Sequence, residues 1–132
     1  GLTYMEPGEA DALVCAGMGG PLMIKILTEG ADVVMRMQEL VLQPQSELRE
    51  FREFLRKNRF FIVEEKMILE DGKFYPMMRV QKNAAKEAAP ETEEEETMQR
   101  LCDKFGPLLL ASKDETLKEY LLFQLHIEMV NL

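Results

Sequence analysis

Hydrophobic and polar positions along residues 12–82 form segments whose lengths and order are typical of an α/β fold. A short apolar run at residues 12–16 lies between polar and glycine-rich positions, which predicts a strand buried on both faces. Pro21 suits the first position of a following helix, and Gly30 is placed to end that helix. Residues 31–37 fit either a short strand or a continuing helical turn.

A second strand and an amphipathic helix follow. Residues 39–43 predict a buried strand that ends before Pro44, because the residue preceding a proline is kept out of helical geometry. Ser46 suits the N-cap of the next helix, whose apolar positions repeat at helical spacing. Asn58 is suited to end that helix in the left-handed conformation.

An Asp-Gly pair at residues 71–72 separates two segments rich in β-forming residues, at 60–69 and 73–82. This arrangement predicts an antiparallel hairpin with a tight turn. Pro76 cannot donate a backbone hydrogen bond, so we expect it at a sheet edge or a bulge.

The C-terminal part predicts helices. Thr92 and Glu95 have the spacing of a capping box, for a helix that stops at the Gly-Pro pair of residues 106–107. Ser112 and Glu115 have the spacing of a second capping box. The last helix then carries an apolar stripe, which consists of Leu117, Leu121, Leu125 and Met129.

Composition narrows the functional classes. A net charge of −8 argues against a basic nucleic-acid surface made by the whole chain. No apolar run approaches the roughly 20 residues of a membrane span, and no signal-peptide pattern is visible. Cys15 and Cys102 lie far apart and fit reduced packing residues of a cytoplasmic protein. One histidine without a close cysteine pair provides no zinc signature.

Charges are distributed unevenly along the chain. Residues 91–96 contain five glutamates and predict a solvated helix start, which the helix dipole stabilises. Basic residues surround the helix after the second strand and offer contacts for RNA phosphates, although such a stripe also fits the ordinary solvated face of a surface helix. This basic stripe consists of Arg49, Arg52, Arg56, Lys57 and Arg59.

The glycines at 17, 19 and 20 mark the candidate ligand site. A strand followed by a glycine turn and a helix start is where α/β proteins place ligands, because glycine lets the backbone bend and approach a ligand closely. A tight turn with no ligand is an equally good interpretation of the motif alone.

Four short motifs occur in order and together carry a family resemblance. They are residues 16–20 (Ala-Gly-Met-Gly-Gly), 42–44 (Leu-Gln-Pro), 70–75 (Glu-Asp-Gly-Lys-Phe-Tyr) and 105–109 (Phe-Gly-Pro-Leu-Leu). With them the chain resembles the bacterial tRNA adenine-22 N1-methyltransferase family (TrmK-type). Members of that family use S-adenosylmethionine as cofactor and tRNA as substrate.

The resemblance implies an α/β fold: the second half of a class I (Rossmann-like) methyltransferase sheet, ending in an antiparallel hairpin and followed by a C-terminal α-helical arm. Residues 11–16 and 39–43 would be the fourth and fifth of seven strands. The family's glycine-rich cofactor motif after the first strand is absent from this sequence. We therefore expect a fragment that is inactive alone and requires the N-terminal half of the same domain. Its expected divisions are the half-domain at 1–82, a linker at 83–91 and the truncated arm at 92–132.

The resemblance also implies a site for the cofactor and the target base, with no metal, no membrane contact and no catalytic side chain. The cofactor contacts would be Gly1, Leu2, Ala16, Gly17 and Met18. The residues lining the target base would be Gly19, Gly20, Gln43, Pro44 and Gln45. Amide side chains can donate and accept hydrogen bonds at a base edge, although Gln43 also fits a strand-end residue that bonds the neighbouring backbone. The family has asparagine at position 45, so the reach of Gln45 differs by one methylene.

Other interpretations compete with this one. The arm could make the chain a non-catalytic interaction module that offers its apolar stripe to a partner helix. A methyltransferase acting on a small molecule or on another RNA is a further alternative. Tyr75 fits either stacking on a base or packing beside the hairpin. His126 fits a residue of the arm better than a catalyst.

Overall fold

A computed structural model describes residues 12–82 and 89–131, so Gly1, Leu2 and most of the predicted linker lie outside the described residues. Strands and helices alternate up to the hairpin, and helices follow it, as the sequence predicts. The elements are β1 (Ala12–Met18), α1 (Gly20–Glu29), α2 (Ala31–Val34), β2 (Glu39–Pro44), α3 (Leu48–Lys57), β3 (Phe60–Glu70), β4 (Lys73–Lys82), α4 (Glu93–Phe105), α5 (Pro107–Ser112) and α6 (Glu115–Val130).

The four strands form one sheet in the order β1-β2-β4-β3. β1 and β2 are parallel, with Ala12 opposite Glu39 and Ala16 opposite Gln43. β4 runs antiparallel to both β2 and β3. β1 therefore lies at the sheet edge within the described residues. Val14 is 71% exposed, so the prediction of a strand buried on both faces is wrong.

The main core lies between the sheet and the helices that follow β1 and β2. Met23 and Leu27 of α1 pack with Phe51 and Leu55 of α3 over the buried face of β2. Their spacing at i, i+4 places each pair on one helix face, which is why an apolar stripe in the sequence becomes a buried contact. Residues 31–37 resolve as the short helix α2 rather than a strand.

The hairpin forms at the predicted turn, with Asp71 and Gly72 both at positive φ (51° and 76°). Pro76 pairs with Met67 on β3. The pairing of β4 with β2 extends only as far as Met78, so the other side of Pro76 has no strand partner within the described residues and faces a local edge of the sheet, as expected. The expected bulge lies elsewhere, between Ile62 and Glu64.

Two predicted N-caps are displaced, and one predicted C-cap has a different conformation. The N-cap of α3 is Glu47 in a left-handed conformation, not Ser46, because the Ser46 carbonyl accepts the backbone N–H of Gly20 (3.0 Å). Asn58 is the C-cap of α3 as predicted, but it has φ −101° and the left-handed residue is the next one, Arg59 (φ 62°). The N-cap of α6 is Asp114, whose carboxylate accepts from the backbone N of Leu117 (2.8 Å), while Ser112 ends α5.

The arm begins as predicted, because the Thr92 hydroxyl accepts from the backbone N of Glu95 (3.1 Å) and caps α4. Leu109 and Leu117 are buried against Met67 of β3 in a second, smaller core. The predicted apolar stripe of α6 is buried only at its first position. Its other members, Leu121, Leu125 and Met129, are exposed. No helix within the described residues is long and apolar enough to cross a membrane.

A buried ion pair fixes the arm to the sheet. Arg52 of α3 lies 3.2 Å from the Glu65 carboxylate of β3. The Arg52 guanidinium also donates to the carbonyls of Asp103 and Lys104 (3.1 Å each) at the end of α4. Glu65 in turn accepts from the backbone N of Leu108 (3.0 Å) at the start of α5. The pair thus binds two of the free carbonyls at the end of α4 and one free N–H at the start of α5.

Candidate functional site

The carboxyl ends of β1 and β2 meet at one edge of the sheet and hold the two loops that follow them together. The backbone N of Gln45 donates to the carbonyl of Met18 (2.9 Å), and the backbone N of Gly20 donates to the carbonyl of Ser46 (3.0 Å). Open α/β sheets bind ligands at this end of their parallel strands. The sequence prediction of a site at the glycine turn therefore coincides with a defined junction of two loops.

The glycines of the turn serve different purposes. Gly17 has φ +75° and its Cβ direction faces open space, so the backbone is accessible there. A Cβ on Gly20 would lie 2.5 Å from the backbone carbonyl oxygen of Ser46, and one on Gly19 would lie 2.6 Å from the Ser46 hydroxyl. Gly20 is itself buried. Gly19 and Gly20 are therefore needed for contact between the loops, which the ligand-based prediction did not include.

The remaining predicted residues differ in accessibility. Ala16 is exposed and Met18 is half-buried. Gln43 is half-buried and makes no side-chain hydrogen bond to the part of the chain that the structure describes, while Gln45 is exposed. Pro44 is among the fully buried side chains, so the prediction that it lines a base is wrong for its side chain. Its role is to end β2 with a fixed φ.

A cleft that the sequence did not indicate opens beside this junction. It has a volume of about 350 Å³ and lies between the loop after β2, the hairpin and the arm. We call it the arm cleft. Its walls include Gln45, Arg49, Met67, Phe74, Lys104 and Tyr120, together with Glu47 and Glu50. The sequence predicted Gln45 and Arg49 as contacts with the substrate, but it did not indicate that Met67, Phe74, Lys104 and Tyr120 lie opposite them, because these residues come from distant parts of the chain.

The basic stripe does not form one free cationic surface. Arg52 is buried in its ion pair with Glu65, so its predicted contact with RNA is wrong. Burial lowers the pKa of its guanidinium, and the Glu65 carboxylate acts in the opposite direction. Arg56 pairs with Asp103 (2.8 Å). The two other paired members bind neighbours on their own helix, Arg49 with Glu50 and Lys57 with Glu53 (both 2.6 Å).

The groups at the loop junction are suited to binding and orienting a ligand. Within residues 12–82 and 89–131 no group of three or more histidine, cysteine or acidic side chains is arranged to hold a metal ion. Cys15 and Cys102 are free thiols, and burial raises the pKa of both. His126 is exposed on α6 and Tyr75 is half-buried in β4. An accessible backbone turn beside amide side chains can bind a planar, polar ligand.

Comparison with known proteins identifies relatives over the whole chain. A family model described as TrmK, tRNA (adenine(22)-N(1))-methyltransferase, matches residues 1–130. The tRNA (adenine(22)-N(1))-methyltransferase of Bacillus subtilis is 41% identical over 78 residues, which is 59% of this chain and 33% of that protein.

Solved structures that resemble this chain include proteins of the same family. Sp1610 of Streptococcus pneumoniae, in complex with S-adenosyl-L-methionine, aligns with a TM-score of 0.81 at 27% identity over 100% of this chain and 57% of its own. The Bacillus subtilis m1A22 tRNA methyltransferase TrmK aligns with a TM-score of 0.74 at 30% identity, over 98% of this chain and 54% of its own. The chain thus spans about a third of the curated Bacillus relative and just over half of these structures. From the family match and the shared Rossmann-like fold, the chain belongs to the TrmK family of tRNA (adenine(22)-N(1))-methyltransferases.

Proposed function

We propose that the protein containing this chain is an S-adenosylmethionine-dependent methyltransferase that modifies N1 of an adenine in tRNA, in the cytoplasm. The chain supplies the second half of the catalytic domain and part of the arm. The observation that carries the proposal is the junction of the Met18 and Gln45 backbones, which brings the two family-like motifs at 16–20 and 42–44 together. The N-terminal half of the domain provides the opposite wall of the site.

The residues after β1 fit an S-adenosylmethionine site. Ala16 and Gly17 are exposed, and the open space at Gly17 leaves room for a ligand against the backbone. Met18 borders the same turn, and Gly1 and Leu2, outside the described residues, are further proposed contacts. The cofactor supplies an electrophilic methyl group when bound. The turn's contribution is to hold that ligand at the end of β1.

The target base requires positioning more than proton transfer. N1 of adenine carries a lone pair in the ring plane and attacks a methyl group without first losing a proton, so alignment of the two centres dominates. Gln43 and Gln45 are the groups that orient the base edge, and Gly19 and Gly20 keep their loop against the turn. Because the adenine belongs to a folded tRNA, it is turned out of its stack to enter.

The exposed cations of α3 contribute to RNA affinity. Arg49, Lys57 and Arg59 are solvent-accessible, and Arg56 is partly so. Surface ion pairs within a helix contribute little stability, so Arg49 and Lys57 can exchange their carboxylate partners for phosphates at small cost. Arg52 takes no part in this contact.

The function is tested with the full-length gene product, unmodified tRNA and mass spectrometry of digested nucleosides. We expect 1-methyladenosine at one position, together with no turnover and weak S-adenosylmethionine binding by the 132-residue chain alone. A methylated nucleoside other than 1-methyladenosine defeats the assignment to N1 of adenine, and no methylated nucleoside in tRNA defeats the assignment of tRNA as substrate. Tight cofactor binding by the isolated chain defeats the half-site assignment.

A matched pair of variants tests the base contact. Gln43→Ala removes an amide with no described partner, and we expect kcat/KM for tRNA to fall about 3- to 10-fold, the effect of one net hydrogen bond. Gln81→Ala, at an exposed position of β4, is the control and should behave as wild type. Equal activity of both variants excludes Gln43 from base recognition.

A further inference from the structure

The arm cleft has a wall suited to stacking. Phe74 of the hairpin and Tyr120 of α6 meet edge to face, with ring centroids 5.2 Å apart and planes at 63°. This packing holds both half-buried rings between the sheet and the arm. An aromatic ring at the wall of a cleft is a sequence-tolerant platform for a nucleobase. Ligand pockets begin at roughly 300 Å³, and the arm cleft lies at the small end of that range.

The charges of the cleft favour a base over a free phosphate. The cleft walls carry two carboxylates, Glu47 and Glu50, beside the cations Arg49 and Lys104, so their charges balance. Lys104 is exposed and is available to a phosphate joined to a bound base.

The cleft lies next to the proposed methyl-transfer point without containing it. Gln45 belongs to both regions, because its backbone N bonds the carbonyl of Met18 and the residue is part of the cleft wall. The turn at residues 17–20 contributes nothing to the cleft walls that the structure describes. A base in the cleft is therefore adjacent to the base that meets the cofactor.

We propose that the arm cleft binds a nucleotide of the tRNA that neighbours the methylated adenine. The inference rests on the proposed function and extends it, because it makes the arm part of the substrate site. Tyr120 supplies the stacking face and Lys104 the phosphate contact. Neither residue belongs to the motifs at the loop junction. The arm then recognises the RNA only while it is docked on the sheet through Arg52 and Glu65.

The test uses the full-length enzyme with its tRNA. Tyr120→Leu keeps apolar packing against Phe74 but removes the flat face, and we expect KM for tRNA to rise roughly 5- to 100-fold, the range for loss of one stacked base. KM for S-adenosylmethionine should not change. Phe123→Leu is the matched control, because Phe123 also approaches Phe74 (6.0 Å) but lies outside the cleft walls. An equal rise in both variants assigns the effect to arm packing and overturns the proposal.

A second measurement keeps the wild-type protein intact. A tRNA carrying 2-aminopurine on either side of the target adenine should lose fluorescence on binding at one of these positions. Lys104→Gln should weaken that binding and reduce its salt dependence. No fluorescence change at either position overturns the proposal, as does an unchanged KM in a stably folded Tyr120→Leu variant. Full-length protein that makes no 1-methyladenosine contradicts the proposed function, whereas normal methylation with unaltered tRNA KM contradicts only the assignment of the cleft.

Discussion

The guanidinium of Arg52 and the carboxylate of Glu65 form an ion pair whose side chains are 1% and 0% exposed. The pair bonds carbonyls at the end of α4 and a backbone N–H at the start of α5. The sequence predicts Arg52 as part of a surface stripe that binds RNA. In the structure Arg52 is buried and connects the arm to the sheet. The Glu65 carboxylate and the carbonyls that accept from Nε and Nη1 of Arg52 offset the cost of burying its charge, while Nη2 makes only the ion-pair contact.

Removing one partner of this pair should strongly destabilise the folded protein. Arg52→Met leaves a buried carboxylate without its counter-charge, and we expect the free energy of unfolding to fall by about 3–5 kcal/mol. Arg49→Met breaks an exposed pair, which contributes little because solvent screens it, so its loss of stability should be much smaller. Urea unfolding followed by circular dichroism measures both. Similar losses in the two variants would contradict a buried, structural role for Arg52.

Gly106 should be intolerant of a side chain because it packs on the same ion pair. It has φ +95°, and a Cβ there would lie 2.7 Å from a Glu65 carboxylate oxygen and 3.0 Å from Arg52 Nη2. Gly72 has φ +76° with open space around it. Both alanine variants carry a backbone cost of about 1–3 kcal/mol, and Gly106→Ala should lose clearly more stability. Thermal unfolding that ranks the variants equally argues against close packing at Gly106.

The contacts at the loop junction predict that an alanine costs more stability at Gly20 than at Gly19. In Gly20→Ala the new methyl group meets a backbone carbonyl, which cannot turn away, so overpacking should cost about 1–3 kcal/mol. In Gly19→Ala it meets the Ser46 hydroxyl, which can rotate, and the loss should be smaller. A Ser46→Ala background should relieve Gly19→Ala and leave Gly20→Ala unchanged. Chemical denaturation of the four variants reveals whether this pattern holds.

The position of the α6 cap can be tested directly. Asp114→Ala removes the carboxylate that accepts from the backbone N of Leu117, and loss of such a cap costs about 1 kcal/mol. Ser112→Ala alters only a 3.4 Å contact with the Leu109 carbonyl at the end of α5 and should be nearly neutral. A larger loss of stability in Ser112→Ala than in Asp114→Ala, measured by equilibrium unfolding, would support Ser112 as the N-cap of α6, as the sequence spacing predicts.

Thiol reactivity should follow the raised pKa values of Cys15 and Cys102. Because burial favours the protonated thiol, each folded-state pKa lies above its unfolded value. The contribution of each raised pKa to the stability of the folded state is fully present below the pKa of the unfolded thiol, about 8.5. It is lost as pH rises through the pKa of the folded state. Only the thiolate reacts, so alkylation by iodoacetamide should keep accelerating at pH values where urea-unfolded protein has reached its plateau. A native rate that levels off first would contradict this sign.

The amino-acid sequence by itself determined the order of the four strands and of the longer helices, the hairpin turn and the family, but not the short helices α2 and α5. Those features depend on local signals, because the Asp71-Gly72 pair and Thr92 act through residues next to them. Local signals also explain the errors. Ser46 and Ser112 both have the chemistry of a cap, but only the folded chain shows that Ser46 bonds Gly20 through its carbonyl and that Asp114 lies closer to the start of α6.

The tertiary structure alone decided which charged and aromatic residues meet. Arg52 and Glu65 are 13 residues apart and Arg52 and Asp103 are 51 apart, so no spacing rule could pair them. The same holds for the arm cleft, whose walls come from a loop, a hairpin and two arm helices. The glycine turn was visible from its composition. That Gly17 faces open space while Gly20 supports a neighbouring loop depends on the approach of two chain segments, which only folding produces.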